Sequence, residues 1–301
     1  MPDLPPDAAA DSPAPRHRVG SDRWFYACLI VLGGSYIWLI LITLLADAAY
    51  VCIEVFVHDK WSDVRAVLVS EEVWYATKLS VLSSTITTVL ALWVAVPIGY
   101  LLSRFKFPGR ALLDAVLDIP IVLPPLVIGV SLLILFKTGS VISAAIAAKT
   151  GIVLSMPIDF PYAIPGVILA QFLVAAAFAV RTLRLAFDEI PFRKEEVALT
   201  LGCTRGQAFW RVVLPEARGG LLAAATLTWA RSLGEFGPIL VFAGATPKRT
   251  EVLPTSVFLQ FSVGDLVGAV TISLGMVLIA VFVLVVVRVF GHRDLAGRAL
   301  R

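Results

Sequence analysis

The 301 residues are 58% hydrophobic and only 16% charged, with a mean hydropathy of +0.88. A soluble globular chain holds about 45–50% apolar and about 25% charged residues, so this balance excludes an ordinary soluble domain. The net charge of +3 excludes little, because the charges of a membrane protein matter by side and not by sum.

In chain order, residues 1–23 hold five prolines, four aspartates and three arginines with no apolar period. That is the composition of a disordered tail. Long runs almost free of charge follow. Trp24–Ala46 has 23 residues without Asp, Glu, Lys or Arg, Leu79–Leu102 has 24, Ile119–Phe136 has 18, Tyr162–Val180 has 19 and Leu266–Val287 has 22. A sixth run, Gly219–Ala243, is interrupted only by Arg231 and Glu235. A helix needs roughly 20 apolar residues to cross about 30 Å of hydrocarbon. The predicted fold is therefore all-α: a polytopic membrane protein with six transmembrane helices. The first run exceeds the apolar core of a secretory signal, about 7–15 residues, and is expected to stay as the first span. Pro124 and Pro125 remove backbone donors where the third run opens, and should break or kink it.

Alternating the spans sorts the loops into two sets. Residues 1–23, 103–118, 181–218 and 288–301 hold 17 of the 25 Lys and Arg, against 7 in 47–78, 137–161 and 244–265. Basic residues concentrate in cytoplasmic loops, so both termini and the 181–218 loop are expected in the cytoplasm. The 170 residues outside the spans fall in seven pieces, the longest of 38 residues. None has room for a nucleotide-binding domain, and no GxxxxGK[ST] phosphate loop occurs. Cys28, Cys52 and Cys203 form neither a disulfide framework nor a metal spacing. His17, His58 and His292 stand far apart, so the chain is expected to carry no catalytic or metal site.

The 181–218 loop is too patterned for a mere connector. Pro191-Phe-Arg-Lys-Glu-Glu-Val-Ala-Leu-Thr-Leu-Gly202 reads as a short helix begun after proline and ended by glycine. Glu195 and Glu196 fall early in it, where the helix dipole favours acids. Val197, Ala198 and Leu201 are predicted to form one apolar stripe. Thr204-Arg-Gly-Gln207 fits a capping box that opens a second helix running toward Pro215. Three uses fit such a loop: an amphipathic segment on the lipid surface, a DNA-binding helix pair, or a docking knob for a soluble partner. The flanking spans would pin a DNA reader against the membrane. Nucleic acid is therefore not expected as a partner.

Glu196-Val-Ala198, then Gly202, then Val212-x-Leu214-Pro215 resembles the EAA motif of ABC importer permeases. The spacing is kept, with Val197 for the first Ala and Val212 for Ile. The resemblance implies the type I permease fold, with the core over residues 70–290 and the coupling loop at 181–218. The first transmembrane helix and an outer loop would occupy 24–69, and a cytoplasmic tail 291–301. It further implies a homodimer in a bacterial or archaeal cytoplasmic (inner) membrane, surrounded by lipid. Two cytoplasmic ATPase subunits would hold ATP and Mg2+, leaving this chain no cofactor. In that family the motif's helix fits a cleft on the ATPase. Here that role falls to Glu195, Glu196, Ala198, Leu201, Gly202, Leu214 and Pro215.

The fifth run carries Arg231 and Glu235 at i, i+4, so they can meet on one helix face. Ionisable residues at membrane depth are costly and usually face the protein interior or a water-filled path. The pair fits equally a packing role or a gate. The surrounding Ala230-Arg-Ser232-Leu-Gly-Glu-Phe-Gly237, with Thr250-Glu-Val-Leu-Pro254 and Asp118-Ile-Pro120, is similar to the molybdate, tungstate and sulfate permease branch. That resemblance implies an external binding protein and a tetrahedral oxyanion, with molybdate or tungstate ranked above sulfate. In the second run Ser80, Ser84 and Thr87 or Thr88 share a face. Small hydroxyl residues there fit helix–helix contact, or a pathway wall for an oxyanion together with Ser232. Other readings stay open: a permease for sulfate or another solute, an ion-coupled secondary transporter, or a structural membrane protein.

Overall fold

The computed structural model describes the backbone of residues 23–150 and 160–299 and the side chains of 24–138 and 160–287. The predicted tail lies outside the described residues except for the backbone of Arg23. Regular structure among them is helical throughout, thirteen α-helices and one π-helical turn, with no strand. The chain divides into two units, residues 1–50 and 51–301.

Helix α1 (Arg23–Phe56) fills the described part of the first unit. None of its described side chains is buried, and its most apolar 18-residue stretch has a mean hydropathy of 2.4. A helix apolar all round suits hydrocarbon rather than water. It runs ten residues past the predicted span: Asp47 and Glu54 are single acids in an apolar sequence, Glu54 is paired with Lys60 at 3.0 Å, and no breaker comes before Asp59.

The second unit opens with α2 (Trp61–Val69) and α3 (Glu71–Arg104). The Ser70 hydroxyl caps α3 by accepting the Val73 amide at 3.3 Å, and Glu71 and Glu72 suit its positive end. α4 (Arg110–Val122) and α5 (Pro125–Thr150) meet at a bend of 109°. Pro124 disfavours helical backbone at the residue before it, and Leu123 is extended, with ψ 140°. The predicted third span is thus broken at the prolines that announced it.

α6 (Ile164–Asp188) begins with Pro165 in its first turn, where a missing N–H costs nothing. It continues eight residues beyond the predicted Val180, so the loop is shorter than 181–218 suggested. The charges there do not end the helix because they pair along its surface. Arg184 Nη1 lies 2.6 Å from Asp114 and Arg181 Nη1 3.4 Å from Asp118, both on α4. The fifth predicted span is two pieces, α10 (Arg218–Leu233) and α11 (Gly237–Phe242), interrupted at Gly234–Phe236. After α12 (Leu253–Ser262), α13 (Leu266–Ala299) carries helix well past the predicted Val287.

Among the described residues, four helices are long and apolar enough to cross a membrane: α1, α3, α6 and α13 as far as Val287. Taken together as one broken span, the bent α4–α5 pair would be a fifth, and α10 with α11 covers the remaining predicted segment. The all-helical membrane architecture agrees with the sequence.

α3, α6 and α10 pack as the centre of the second unit. Their approach is close because the contact residues are small. A Cβ on Gly99 would stand 3.2 Å from the Arg184 nitrogen and 3.3 Å from the Leu183 Cβ. Small residues let helices pack backbone to backbone where lipid supplies no hydrophobic drive between them. Two apolar clusters result. One gathers Ala91, Ala95, Leu102, Leu183, Phe187 and Val213; the other gathers Leu79, Val167, Val174, Ile239, Phe242 and Val252. Between them along α3 and α10 runs a buried polar layer of Ser83, Ser84, Thr87, Thr88, Thr228 and Ser232.

Candidate functional site

The patterned loop folds as the sequence predicts at its start and departs from it later. α7 (Phe192–Thr200) follows Pro191 directly. It closes on Gly202, whose φ of +88° is open to glycine and strained for other residues. The Gly202 amide donates to Leu199 O at 3.0 Å and the Cys203 amide to Ala198 O at 3.1 Å. That pair of bonds is the Schellman arrangement, which satisfies carbonyls the helix leaves over. Thr204 and Gln207 form the predicted capping box in both directions, at 3.3 and 2.9 Å.

The second helix is not continuous. α8 (Arg205–Ala208) passes into a π-helical turn (Phe209–Val213) and then α9 (Leu214–Glu216). Pro215 has no N–H to give the carbonyl four residues back. The ladder slips by one residue just before it, with the Leu214 amide bonding Phe209 O.

The predicted stripe of Val197, Ala198 and Leu201 is also corrected. Ala198 is buried, whereas Val197 is 51% and Leu201 80% exposed. Position 201 lies past the end of α7 and swings outward with the turn at Gly202. Glu195 and Glu196 part in the same way, Glu195 buried and Glu196 exposed. The outward tip therefore presents Glu196, Val197, Leu201 and Gly202, while Leu214 and Pro215 stand partly buried behind it.

Glu195 is anchored to residues the sequence reading did not single out. Its Oε1 accepts the Tyr100 hydroxyl at 2.5 Å, and its Oε2 lies 3.4 Å from Arg104 Nε. Arg104 Nη2 also donates to Ile190 O at 3.0 Å. Both partners come from the last turns of α3, and nothing local in sequence points across 91 residues to them. A basic residue ending a long apolar run was the one available signal. On the surface, Lys194 pairs with Glu216 at 2.7 Å, which ties α7 to α9.

The second predicted constellation lies at the break after α10. Arg231 Nη1 and Glu235 Oε2 are 2.7 Å apart, so the pair forms. Glu235 stands beyond the end of α10 rather than on one face with Arg231, because Gly234 ends the helix. Its side chain is 2% exposed and that of Arg231 30%. The guanidinium also faces the Phe178 ring, 5.7 Å from its centre.

The hydroxyl residues of α3 lie inside the second unit. The Ser80 hydroxyl accepts the Leu253 amide at 2.8 Å, in the first turn of α12. Ser84 is fully buried, and the Thr88 hydroxyl donates to its carbonyl at 2.7 Å. Thr87 donates to Gln171 Oε1 at 3.1 Å, and Gln171 Nε2 donates to the Ser232 carbonyl at 3.1 Å. These contacts suit helix packing, with α3, α6 and α10 joined through Gln171 by hydrogen bonds, while the Ser84 and Ser232 hydroxyls themselves have no partner. Near α12, Glu251 is buried and accepts the Ser256 hydroxyl at 2.6 Å. Burial pushes its carboxyl above the ordinary value; the Ser256 bond opposes this and the nearby Glu72 charge adds to it.

This fold, with an exposed helix hairpin held on a bundle of apolar helices, belongs to a membrane transport component. Residues 95–293 match the model of the binding-protein-dependent transport system inner membrane component family. The chain belongs to that family, the permeases of ABC importers. It is 32% identical over 255 residues to the sulfate transport system permease protein CysT of Escherichia coli K12, covering 85% of this chain and 89% of that one. The molybdenum transport system permease protein ModB of the same organism is 32% identical over 191 residues, 64% and 81% of the two chains. The molybdate/tungstate transport system permease protein WtpB of Thermococcus kodakarensis is 34% identical over 208 residues, 68% and 76%. Among solved structures, a bacterial ABC transporter involved in import of the acidic polysaccharide alginate shares the fold. Its TM-score is 0.68 at 17% identity, covering 90% of this chain and 96% of that one.

Proposed function

We propose that this chain is the transmembrane subunit of an ATP-driven importer of a tetrahedral oxyanion. It passes the anion from an external binding protein to the cytoplasm by alternating access. The observation that carries the coupling role is the form of α7. Its motif residues divide into an inner set, Glu195 and Ala198, that fixes the helix to the bundle, and an outer set, Glu196, Val197 and Leu201, that faces away from it. A surface of that kind fits a cleft on a partner, and the partner is a cytoplasmic ATPase that holds ATP and Mg2+. Two copies of this chain form the pathway, and both termini lie in the cytoplasm.

The substrate class rests on relatives that carry sulfate, molybdate and tungstate in their names. Molybdate or tungstate is placed first on the resemblance of the Gly234-Glu-Phe-Gly237 and Thr250-Glu-Val-Leu-Pro254 segments to that side of the branch. Arg231 is the cation at membrane depth, and its pairing with Glu235 suits a gate that does not trap a dianion. The test is uptake of labelled molybdate, tungstate and sulfate by vesicles holding the complete complex with its binding protein. Accumulation of at least one, dependent on ATP, is expected. Accumulation of none, while another solute is taken up, overturns the oxyanion reading.

A further inference from the structure

The densest chemistry behind the exposed tip is the cluster of Arg104, Tyr100 and Glu195. Arg104 closes α3 and reaches three points of the α6–α7 junction. It donates to Ile190 O, lies 3.4 Å from Glu195 Oε2, and faces the Phe192 ring at 5.8 Å from its centre. Tyr100, one turn earlier, binds the other carboxylate oxygen and stacks edge-on against Phe105, Phe187 and Phe209. Both charged side chains are 6% exposed. A buried ion pair adds little net stability over an apolar pair of the same volume. What this cluster adds is geometry: one carboxylate hydrogen-bonded at Oε1 by Tyr100 and in ion-pair contact at Oε2 with Arg104, both from a single helix, and one guanidinium that also donates to backbone.

We propose that Arg104 and Tyr100 are positioning residues that join α7 to α3 as one rigid unit, so that displacement of α7 enters the membrane along α3. This rests on the coupling role proposed above. The covalent link from α6 to α7 is the non-helical stretch Glu189-Ile190-Pro191, which can hinge. α3 stays helical over its 34 residues, although Pro97 within it removes one backbone bond. At its other end Ser80 holds the Leu253 amide, and the Tyr75 hydroxyl donates to Arg249 O at 3.4 Å. Ser80 and Arg104 are about 36 Å apart at a rise of about 1.5 Å per residue. A motion imposed on α7 therefore reaches the start of α12 through one element.

Two measurements test this. In a background with Cys28, Cys52 and Cys203 replaced by serine, spin labels at the exposed Thr200 and Trp93 report the α7–α3 distance in nanodiscs. A narrow distribution is expected for the wild type and Arg104→Lys, and a broadened one for Arg104→Met and Glu195→Gln. Unchanged width in both of the latter overturns the proposal. In the complex with its ATPase and binding protein, Arg104→Met is expected to lower anions transported per ATP roughly tenfold. The ATPase should still co-purify with it. The double variant Arg104→Met/Glu195→Met removes both charges and is expected to recover thermal stability but not the transport ratio. Recovery of both makes the cluster ordinary packing and overturns the positioning role. A wild-type complex that binds no ATPase refutes the coupling role instead, and the distance measurement still decides whether α3 and α7 move together.

Discussion

Gly202→Val isolates the backbone geometry of the docking tip. At φ +88° a side chain with a Cβ sits in left-handed backbone, which costs roughly 1–2 kcal/mol for an L-residue, and a β-branched one tolerates it least. A Cβ placed there meets nothing within 4 Å, so the Cβ itself adds no clash to that cost. The penalty falls on the Schellman turn alone. If the turn is the docking-competent conformer, a cost of this size lowers its ratio to competing conformers about 5–30-fold, and the apparent affinity for the ATPase falls by up to the same factor, as far as the competent fraction drops. Titration of the purified ATPase subunit onto nanodisc-embedded permease reads this directly. Gly202→Asn, which tolerates positive φ better than other residues, should lose less. Unchanged affinity for Gly202→Val with unchanged expression would refute the reasoning, since the strain has nowhere else to act.

Three further outcomes follow from other parts of the structure. Glu196→Lys reverses a charge on an exposed position; melting should be unchanged while ATP-dependent uptake is lost, and normal uptake would remove Glu196 from the docking surface. Gln171→Leu strips two buried hydrogen bonds, to Thr87 and to the Ser232 carbonyl. Leaving such groups without partners costs about 1–3 kcal/mol each, so the detergent-solubilised protein should melt lower, and an equal melting temperature would show that the layer relaxes or hydrates. Glu251 has its carboxyl raised above 4.5, by burial first. A raised folded value means its stabilising share is complete below the unfolded value and is lost as pH rises through the folded one. Wild-type melting temperature should therefore fall with pH just above 4.5, while Glu251→Gln should flatten that part of the curve; parallel curves would count against a buried, perturbed acid.

How far the sequence could be read depended on the range of the interaction. Capping and turn chemistry act within a few residues, and the Thr204–Gln207 box and the stop at Gly202 were visible for that reason. Prolines act just as locally, so the break at Pro124 could be foreseen, though not its angle. Helix ends set by charge were misjudged at Arg181 and Arg184. Those residues ended the apolar run but not the helix, because Asp114 and Asp118 neutralise them from a neighbouring element.

The same limit governs the site. The EAA spacing located the tip, yet it could not divide the tip into inner and outer faces, and on that division the docking proposal rests. Glu195 and Glu196 are adjacent and chemically alike; only the position of Arg104 and Tyr100 makes one an anchor and the other free to meet a partner. Likewise, hydroxyls at helical spacing on α3 suit a pathway wall and a packing seam alike, and the bonds through Gln171 to Thr87 and the Ser232 carbonyl lie beyond what spacing can show. Ser80, Thr87 and Thr88 are committed within this layer, whereas the Ser84, Thr228 and Ser232 hydroxyls have no hydrogen-bond partner there, so the layer is bonded on one side and open at its half-exposed boundary. Arg231, at 30% exposure beside a buried Glu235, stands at that boundary.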